Sequence, residues 1–320
     1  MFLKSLFWQG VNSLIKIFLE VFVFDRKIRR ILKGNWAKFY LRKYVKKGCT
    51  NPTPQSHLSG KQSTGLFPFG RVSRGGEVPI IWQYWESPDG SVPPLVQACL
   101  NSVEKYRGGK YKRILLTPEN VKDYVDIPQI FWDLKEKGKI KTAFFSDILR
   151  TCLLIQHGGL WIDSTVLLTE ELPSYITDAD LFVFQNDLKI DLDGLNMASY
   201  FIAAKKDNKI LKETLAALVQ YWRENNFLVN YFTFLHTFTM VTRASKENRE
   251  LFSKVPFFNF LPVQQFQGEL LNKFSEERWA EIRKISGIHK LTHKQSVLTK
   301  KKEIDISETF YEKLIQGDII

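Results

Sequence analysis

KTAFFSDILRTCLLIQHGGLWIDSTVLL, residues 141–168, decides how the rest of this 320-residue chain is read. Its first half, Lys141 to His157, is apolar on nearly every side: Phe144, Phe145, Ile148, Leu149, Cys152, Leu153, Leu154 and Ile155. That pattern predicts a helix buried within a domain. Asp147 and Arg150 interrupt it, sharing one helical face with Thr151. Charges in such a helix are costly unless they pair or meet a ligand, so the two read either as a structural ion pair or as part of a site. Gly158 and Gly159 end the helix, Leu160 to Ile162 form a short buried strand, and Asp163 stands at that strand's end. In open α/β sheets ligands bind beyond the carboxyl ends of the strands, which places this carboxylate to act on a substrate or metal. Taken alone, it could equally cap the next turn.

On the N-terminal side, VPIIWQYWE reads as a first buried strand from Val78 to Trp85, with Pro79 at its start. A helix from about Pro93 to Tyr106, a strand at Tyr111 to Leu116, a helix opened by Pro118 and another from Ile127 to Lys137 follow. This alternation predicts a parallel sheet with right-handed crossovers. Beyond Asp163, Val166 to Leu168 is extended, and Asp180 to Gln185 and Ser199 to Ala204 read as later strands. Between them lies a polar loop with Asp187, Asp191 and Asp193, read as a solvated turn. Lys209 to Arg223 and Asn230 to Thr242 are helical, the second carrying His236 as a packed histidine. A last helix, about Glu308 to Gln316, takes Ser307 as its cap. Three unspaced cysteines, Cys49, Cys99 and Cys152, argue against a disulfide framework and for a reducing compartment.

The spacing of SDxxR (Ser146, Asp147, Arg150) ahead of GGxWxD (Gly158, Gly159, Trp161, Asp163) resembles the signature of the capsular polysaccharide synthesis proteins and the related glycosyltransferase family 32. The resemblance implies a GT-A type, Rossmann-like nucleotide-sugar-binding domain in which Asp147 and Arg150 face the donor and Asp163 opens a DxD metal motif. Here Ser164 and Thr165 follow, so a hydroxyl replaces the second carboxylate. A hard divalent cation, Mn2+ or Mg2+, draws much of its affinity from anionic oxygens. Thr165 could ligate only weakly or through water, so either Asp163, the donor diphosphate and a group from elsewhere hold the ion, or metal dependence is relaxed. The family's opening strand matches VPIIWQYW, which makes Trp85 the residue to stack on the nucleobase and leaves Trp82 a core aromatic. Asn230 and Tyr231 fall where the family carries Asp-Tyr-Phe, and Asn lacks the basicity of a proton acceptor. The segment Gly287 to Lys294 matches a basic stretch placed over the donor, so His289, Lys290 and Lys294 are expected to neutralise the diphosphate. Its alternatives are a solvated basic turn, or a metal site from His289 and His293 at four-residue spacing. No residue stands out as nucleophile or base.

The first 50 residues differ in kind. Phe2 to Phe24 is apolar, but Ser5, Gln9, Asn12, Lys16 and Glu20 draw one polar stripe, and the charges interrupt any bilayer-spanning run. An interfacial amphipathic helix fits, and a helix docked on the protein's own core is the alternative. Twelve basic and two acidic residues lie in these 50, so +10 of the net +12 resides here. Such a segment is drawn to anionic lipid. Nucleic acid is the rival partner, but no helix-turn-helix, zinc-finger or RNA-binding signature accompanies the charge, so none is expected.

The sequence thus predicts a membrane-associating arm at 1–48, a Gly/Pro/Ser-rich linker at 49–76 and a catalytic α/β domain at 77–320. The expected activity is transfer of a sugar, with retention by resemblance, from a nucleotide-sugar donor such as a UDP-sugar to an oligosaccharide or lipid-linked glycan in bacterial surface polysaccharide synthesis. The expected location is cytoplasmic, peripheral on the inner face of the membrane. A noncatalytic scaffold with a degenerate site is the reading of another class.

Overall fold

The computed structural model describes residues 2–22, 26–50, 78–186, 195–294 and 305–320. Two helices come first, α1 (Phe2–Phe22) and α2 (Arg26–Thr50). The sheet-forming part follows with β1 (Ile80–Tyr84), α3 (Pro94–Tyr106), β2 (Lys112–Leu116), α4 (Val121–Tyr124), α5 (Gln129–Glu136), α6 (Thr142–His157), β3 (Gly159–Ile162), β4 (Val166–Leu168), α7 (Ser174–Thr177), β5 (Leu181–Val183) and β6 (Phe201–Ala204). Then come α8 (Lys209–Glu224), α9 (Thr233–Val241), α10 (Lys246–Ser253), α11 (Leu261–Gln264), α12 (Glu276–Ile285), β7 (Ile288–Lys290) and α13 (Phe310–Gln316). The Asp187, Asp191 and Asp193 loop and nearly all of the expected linker lie outside the described residues; Cys49 and Thr50 close α2.

The main sheet has the order β2-β1-β3-β6-β5. β1 pairs in parallel with β2 over Ile80 to Tyr84 and with β3 at Ile81 and Trp82. β6 then runs antiparallel to β3, Gly159 opposite Ala204 and Ile162 opposite Phe201, and β5 runs antiparallel to β6. The fully parallel sheet expected from the alternation is therefore corrected to a mixed one. A parallel partner needs a long crossover, usually helical. Among the described residues, the only helix between β3 and β6 is the four-residue α7.

Period-two alternation sorts the two faces. Ile81, Leu160, Ile162 and Phe182 pack on one side, while Trp82, Trp161 and Ile202 meet α6 and α8 through Leu149, Leu153 and Leu218 on the other. The glycine pair makes this contact possible. A Cβ on Gly159 would lie 2.3 Å from the Ile80 carbonyl oxygen, one on Gly158 would lie 2.7 Å from the Lys206 nitrogen, and both have positive φ. Trp82 is a core aromatic as expected, 1% exposed, its indole N–H donating to the Gly158 carbonyl at 3.0 Å.

A two-stranded sheet stands beside the main one. β4 and β7 pair antiparallel, Val166 opposite Lys290 and Leu168 opposite Ile288. Phe266, Trp279 and Phe310 pack with Leu167 in its own apolar cluster. α13 is capped by Thr309, whose hydroxyl accepts from the Glu312 N–H, and not by Ser307 as the sequence suggested.

The basic N-terminal segment is not a free arm over its whole length. α2 buries Ala37, Tyr40, Leu41, Tyr44 and Val45 in the main core. Asn225 ties it down, accepting from the Tyr40 hydroxyl at 2.8 Å and donating to the Tyr44 hydroxyl at 2.7 Å. Gly48 lies so close to α8 that a Cβ there would sit 2.6 Å from the Ala217 nitrogen. Among the described residues, no helix is long and apolar enough to cross a membrane.

Candidate active site at the strand ends

β3 ends at Ile162, and the chain turns at once. The Asp163 N–H donates to the Tyr200 carbonyl at 2.9 Å, and the Val166 N–H returns to the Asp163 carbonyl at 2.8 Å. Ser164 is buried in this turn, its hydroxyl donating to the Tyr84 carbonyl at 2.8 Å, so it fastens the turn to the end of β1. The turn leaves Asp163 and Thr165 beside one another, and Lys290 of the neighbouring β7 reaches both. Its ammonium donates to Asp163 Oδ2 at 2.9 Å and to the Thr165 hydroxyl.

The other carboxylate oxygen of Asp163 faces α6. Oδ1 accepts from the Trp161 indole N–H at 2.8 Å and lies 3.2 Å from Arg150 Nη2. Arg150 also pairs with Asp147 at 3.0 Å and donates to the Ser199 carbonyl at 2.6 Å and to the Ser146 hydroxyl at 2.9 Å. Its guanidinium lies over the Trp161 ring, 4.8 Å from the centroid. Asp147, Arg150 and Asp163 therefore converge, as the sequence required. The Arg150 side chain is 5% exposed, whereas Asp147 at 16% and Asp163 and Lys290 at 23% each border solvent.

Electrostatics separate the two acids. Burial raises the Asp147 carboxyl to about 6; Arg150 opposes the rise, and the Asp163 charge adds to it. For Asp163 burial pushes upward too, but Lys290 and Arg150 outweigh it and hold the carboxyl below its ordinary value. Two carboxylates and two cations thus form a charge-balanced cluster at the strand ends.

A divalent cation held by Asp163 and Thr165 does not fit this donor set. Such ions collect about six oxygens, while here each Asp163 oxygen and the Thr165 hydroxyl already accept from N–H groups. No group of three or more His, Cys, Asp or Glu side chains among the described residues could hold a metal. The cation that Asp163 and Thr165 share is the Lys290 ammonium.

The basic segment is a strand followed by a tail, and not a solvated basic turn. Strand alternation splits its residues: Lys290 turns toward Asp163, while His289 turns into the core, 1% exposed, with its ring 5.3 Å from Phe266 and 6.3 Å from Trp279. His289 is therefore corrected from a donor-binding residue to a buried core histidine. The tail carries the strand onward, the Leu291 N–H on the Thr165 carbonyl at 2.9 Å. It brings His293 edge-on to Trp85, centroids 5.1 Å apart. Trp85 itself stands just past the end of β1, its indole N–H on the Ser91 carbonyl at 2.9 Å. Lys294 is exposed at the end of this tail, its backbone N–H on the Thr292 hydroxyl at 3.4 Å, and among the described residues no hydrogen bond or ion pair joins it to Asp163.

Sequence reasoning missed Trp161, Ser199 and Tyr200. The first was within reach, since residues 161 and 163 share a face by strand alternation. Ser199 and Tyr200 arrive through the antiparallel pairing of β6 with β3, which no local pattern announces. Lys290 passes 5.6 Å from the Tyr200 ring centroid.

A mixed α/β body with a charged cluster beyond the carboxyl end of its central strand defines the class: an α/β protein whose candidate site lies where open α/β sheets bind ligands. The chain belongs to the capsular polysaccharide synthesis protein family, whose profile matches residues 22–314. It is also similar to the O-glycosyltransferase braB of Annulohypoxylon truncatum, 26% identical over 160 residues, which are 44% of this chain and 37% of that one. The match thus spans well under two thirds of that relative's length. Two solved structures share a loose likeness. The PaToxG glycosyltransferase is 11% identical at a TM-score of 0.40, over 90% of this chain and 96% of that one. The galactosyltransferase LgtC, solved with donor and acceptor sugar analogues, is 12% identical at 0.33, over 74% and 94%.

Proposed function

We propose that this protein is a GT-A type glycosyltransferase that moves a sugar, with retention, from a nucleotide-sugar donor such as a UDP-sugar to a glycan or lipid-linked acceptor. The product is a bacterial surface polysaccharide, and the enzyme works on the cytoplasmic face of the membrane. One observation carries the reading: Asp163, Arg150 and Lys290 meet at the end of β3, and the tail after Lys290 runs from that cluster to Trp85 past the end of β1.

Each residue then has a task set by its chemistry. Departure of a nucleoside diphosphate requires positive charge near the β-phosphate, and Lys290 supplies a compact ammonium bordering solvent. Arg150, buried and held by Asp147, Ser146 and Ser199, keeps Asp163 ionised and oriented. Asp147 and Asp163 offer carboxylate oxygens to sugar or ribose hydroxyls, and Trp85 offers its ring to the base. On binding, the diphosphate competes with Asp163 for Lys290, so the cluster exchanges one anion for another.

Donor hydrolysis tests this. Wild-type protein, Asp163→Ala and Lys290→Gln are compared for release of nucleoside diphosphate from a panel of nucleotide sugars. We expect turnover of at least one donor by wild type and a fall of about 100-fold or more in Asp163→Ala. No release from any donor by wild type, with or without acceptor glycans and Mn2+, would overturn the enzymatic reading in favour of a noncatalytic scaffold.

A further inference from the structure

The transfer reaction leaves unused a cavity of about 380 Å³ between the two N-terminal helices and the turn ahead of α9. Four cations line it: Lys16 of α1 and Arg29, Arg30 and Lys33 of α2. Glu20 is the carboxylate that pairs with Arg29 and Lys33. Lys16 is half-buried, its ammonium donating to the Leu228 carbonyl at 3.3 Å. Burial and, after it, the Lys33 charge lower its pKa, two penalties that a bound anion relieves. His236 lines the same cavity, 1% exposed, and its Nδ1 has no hydrogen-bond partner among the described residues. An orphaned buried nitrogen beside a half-buried ammonium that burial and a like charge both disfavour is a site shaped for anionic oxygens.

The surroundings narrow the choice of anion. Phe7, Leu14 and Phe18 of α1 follow helical spacing along one exposed face, joined by Ile17, and on α2 Ile28, Leu32 and Phe39 are also exposed. A soluble phosphate has no use for that apolar surface, whereas acyl chains do. We propose that this cavity binds the phosphate headgroup of a membrane lipid, with the exposed face of α1 against the lipid chains. The proposal rests on the membrane-surface part of the functional reading and is independent of the transfer chemistry.

The full chain is sedimented with phosphatidylcholine vesicles, with and without phosphatidic acid. The double variant Lys16→Gln/Lys33→Gln is compared with Lys139→Gln/Lys246→Gln, an equal charge change at exposed positions elsewhere. We expect the first pair to lose about 30-fold in affinity for the acidic vesicles and the second to stay within about twofold of wild type. Phe18→Ser, a change at an exposed position, is expected to keep the wild-type melting temperature and lose vesicle affinity. Short-chain phosphatidic acid should raise the melting temperature of wild type where inorganic phosphate does not.

Equal losses in the two lysine pairs would reduce the effect to diffuse charge and overturn the site. Equal stabilisation by inorganic phosphate would make it a free-phosphate site, and undiminished vesicle binding by Phe18→Ser would remove the lipid from it. Wild-type protein that binds neither vesicle overturns the membrane reading as well. Donor hydrolysis, measured separately, stands or falls on its own.

Discussion

The strand-end cluster and the N-terminal cavity are both built around basic side chains, but Lys290 and Lys16, the lysine of each, are satisfied in different ways. At the strand ends Arg150 and Lys290 are matched by Asp147 and Asp163, and every pairing is closed. In the cavity Glu20 pairs with Arg29 and Lys33, while the half-buried Lys16 ammonium meets only a backbone carbonyl and the repelling Lys33 charge among the described residues, beside a histidine nitrogen with no hydrogen-bond partner among them. A balanced cluster is stable without ligand and responds by exchange. Two like charges at a half-buried site, as Lys16 and Lys33 are, repel until a ligand relieves them, so the first region should fail when a cation is removed and the second should not.

Arg150→Met sets the largest expected effect. Removing one partner of a buried ion pair leaves uncompensated charge, here Asp147 and Asp163 facing each other, and costs about 3–5 kcal/mol. Denaturant unfolding at neutral pH measures it. A loss below about 1 kcal/mol would show that the cluster is not the closed unit described. The matching change in the cavity, Lys16→Gln, should leave stability within about 0.5 kcal/mol of wild type or raise it, because it relieves the Lys33 repulsion.

How much of this contrast was legible beforehand follows from what is local and what is not. The buried helix carrying Asp147 and Arg150, the glycine pair and the strand ending at Asp163 are all readable from periodicity and residue type, and the structure reproduces them. The convergence of Asp163 with the α6 pair was implied by the resemblance that SDxxR and GGxWxD carry, and not by the strand-end rule alone. The identity of its second cation was not. Lys290 reaches Asp163 because β7 pairs with β4 across more than a hundred residues, and the same pairing turns His289 away. A run such as GIHKLTHK looks like a loop until its partner strand is known. The N-terminal segment hid its division for a related reason: α2 is strongly basic, yet Tyr40, Leu41 and Tyr44 are spaced to bury one stripe against α8.

Lys290→Gln gives the next effect. If the ammonium serves where the motif would otherwise place an ion, wild-type turnover should be unchanged by a chelator. The variant should lose about 10- to 100-fold, or about 1.4–2.7 kcal/mol of transition-state stabilisation. Freed from Lys290, Asp163 and Thr165 become ordinary oxygen ligands, so added Mn2+ should restore part of the variant's activity and none of the wild type's. Wild-type activity abolished by chelation would break this reading and return the site to a cation. Steady-state donor hydrolysis at fixed pH decides between them.

The smallest effect uses one buried histidine from each region. Burial lowers the His289 pKa to about 4, and burial, with Lys38 adding, lowers that of His236 to about 3, both from an ordinary 6.5. Each nitrogen Nδ1 is unpartnered among the described residues, so neither ring gains from being charged. Because the folded pKa lies below the unfolded one, the unfolded chain takes up protons first as the solution is acidified. The stability that each neutral ring secures is complete above about pH 6.5 and drains away as the pH falls toward the folded values. At pH 5.5 each should have lost ~1.4 kcal/mol. His289→Leu, whose side chain suits the contacts with Phe266 and Trp279, removes one titration and should remove about half of the loss that the two histidines cause between pH 6.5 and 5, with the opposing Asp147 titration common to variant and wild type. A second variant, His236→Leu, should flatten it further but also weaken acidic-vesicle binding, because only His236 borders the cation-rich cavity. Identical vesicle binding by the two variants would mean that the two histidines differ in depth alone, and that the contrast between the regions stops at their surfaces.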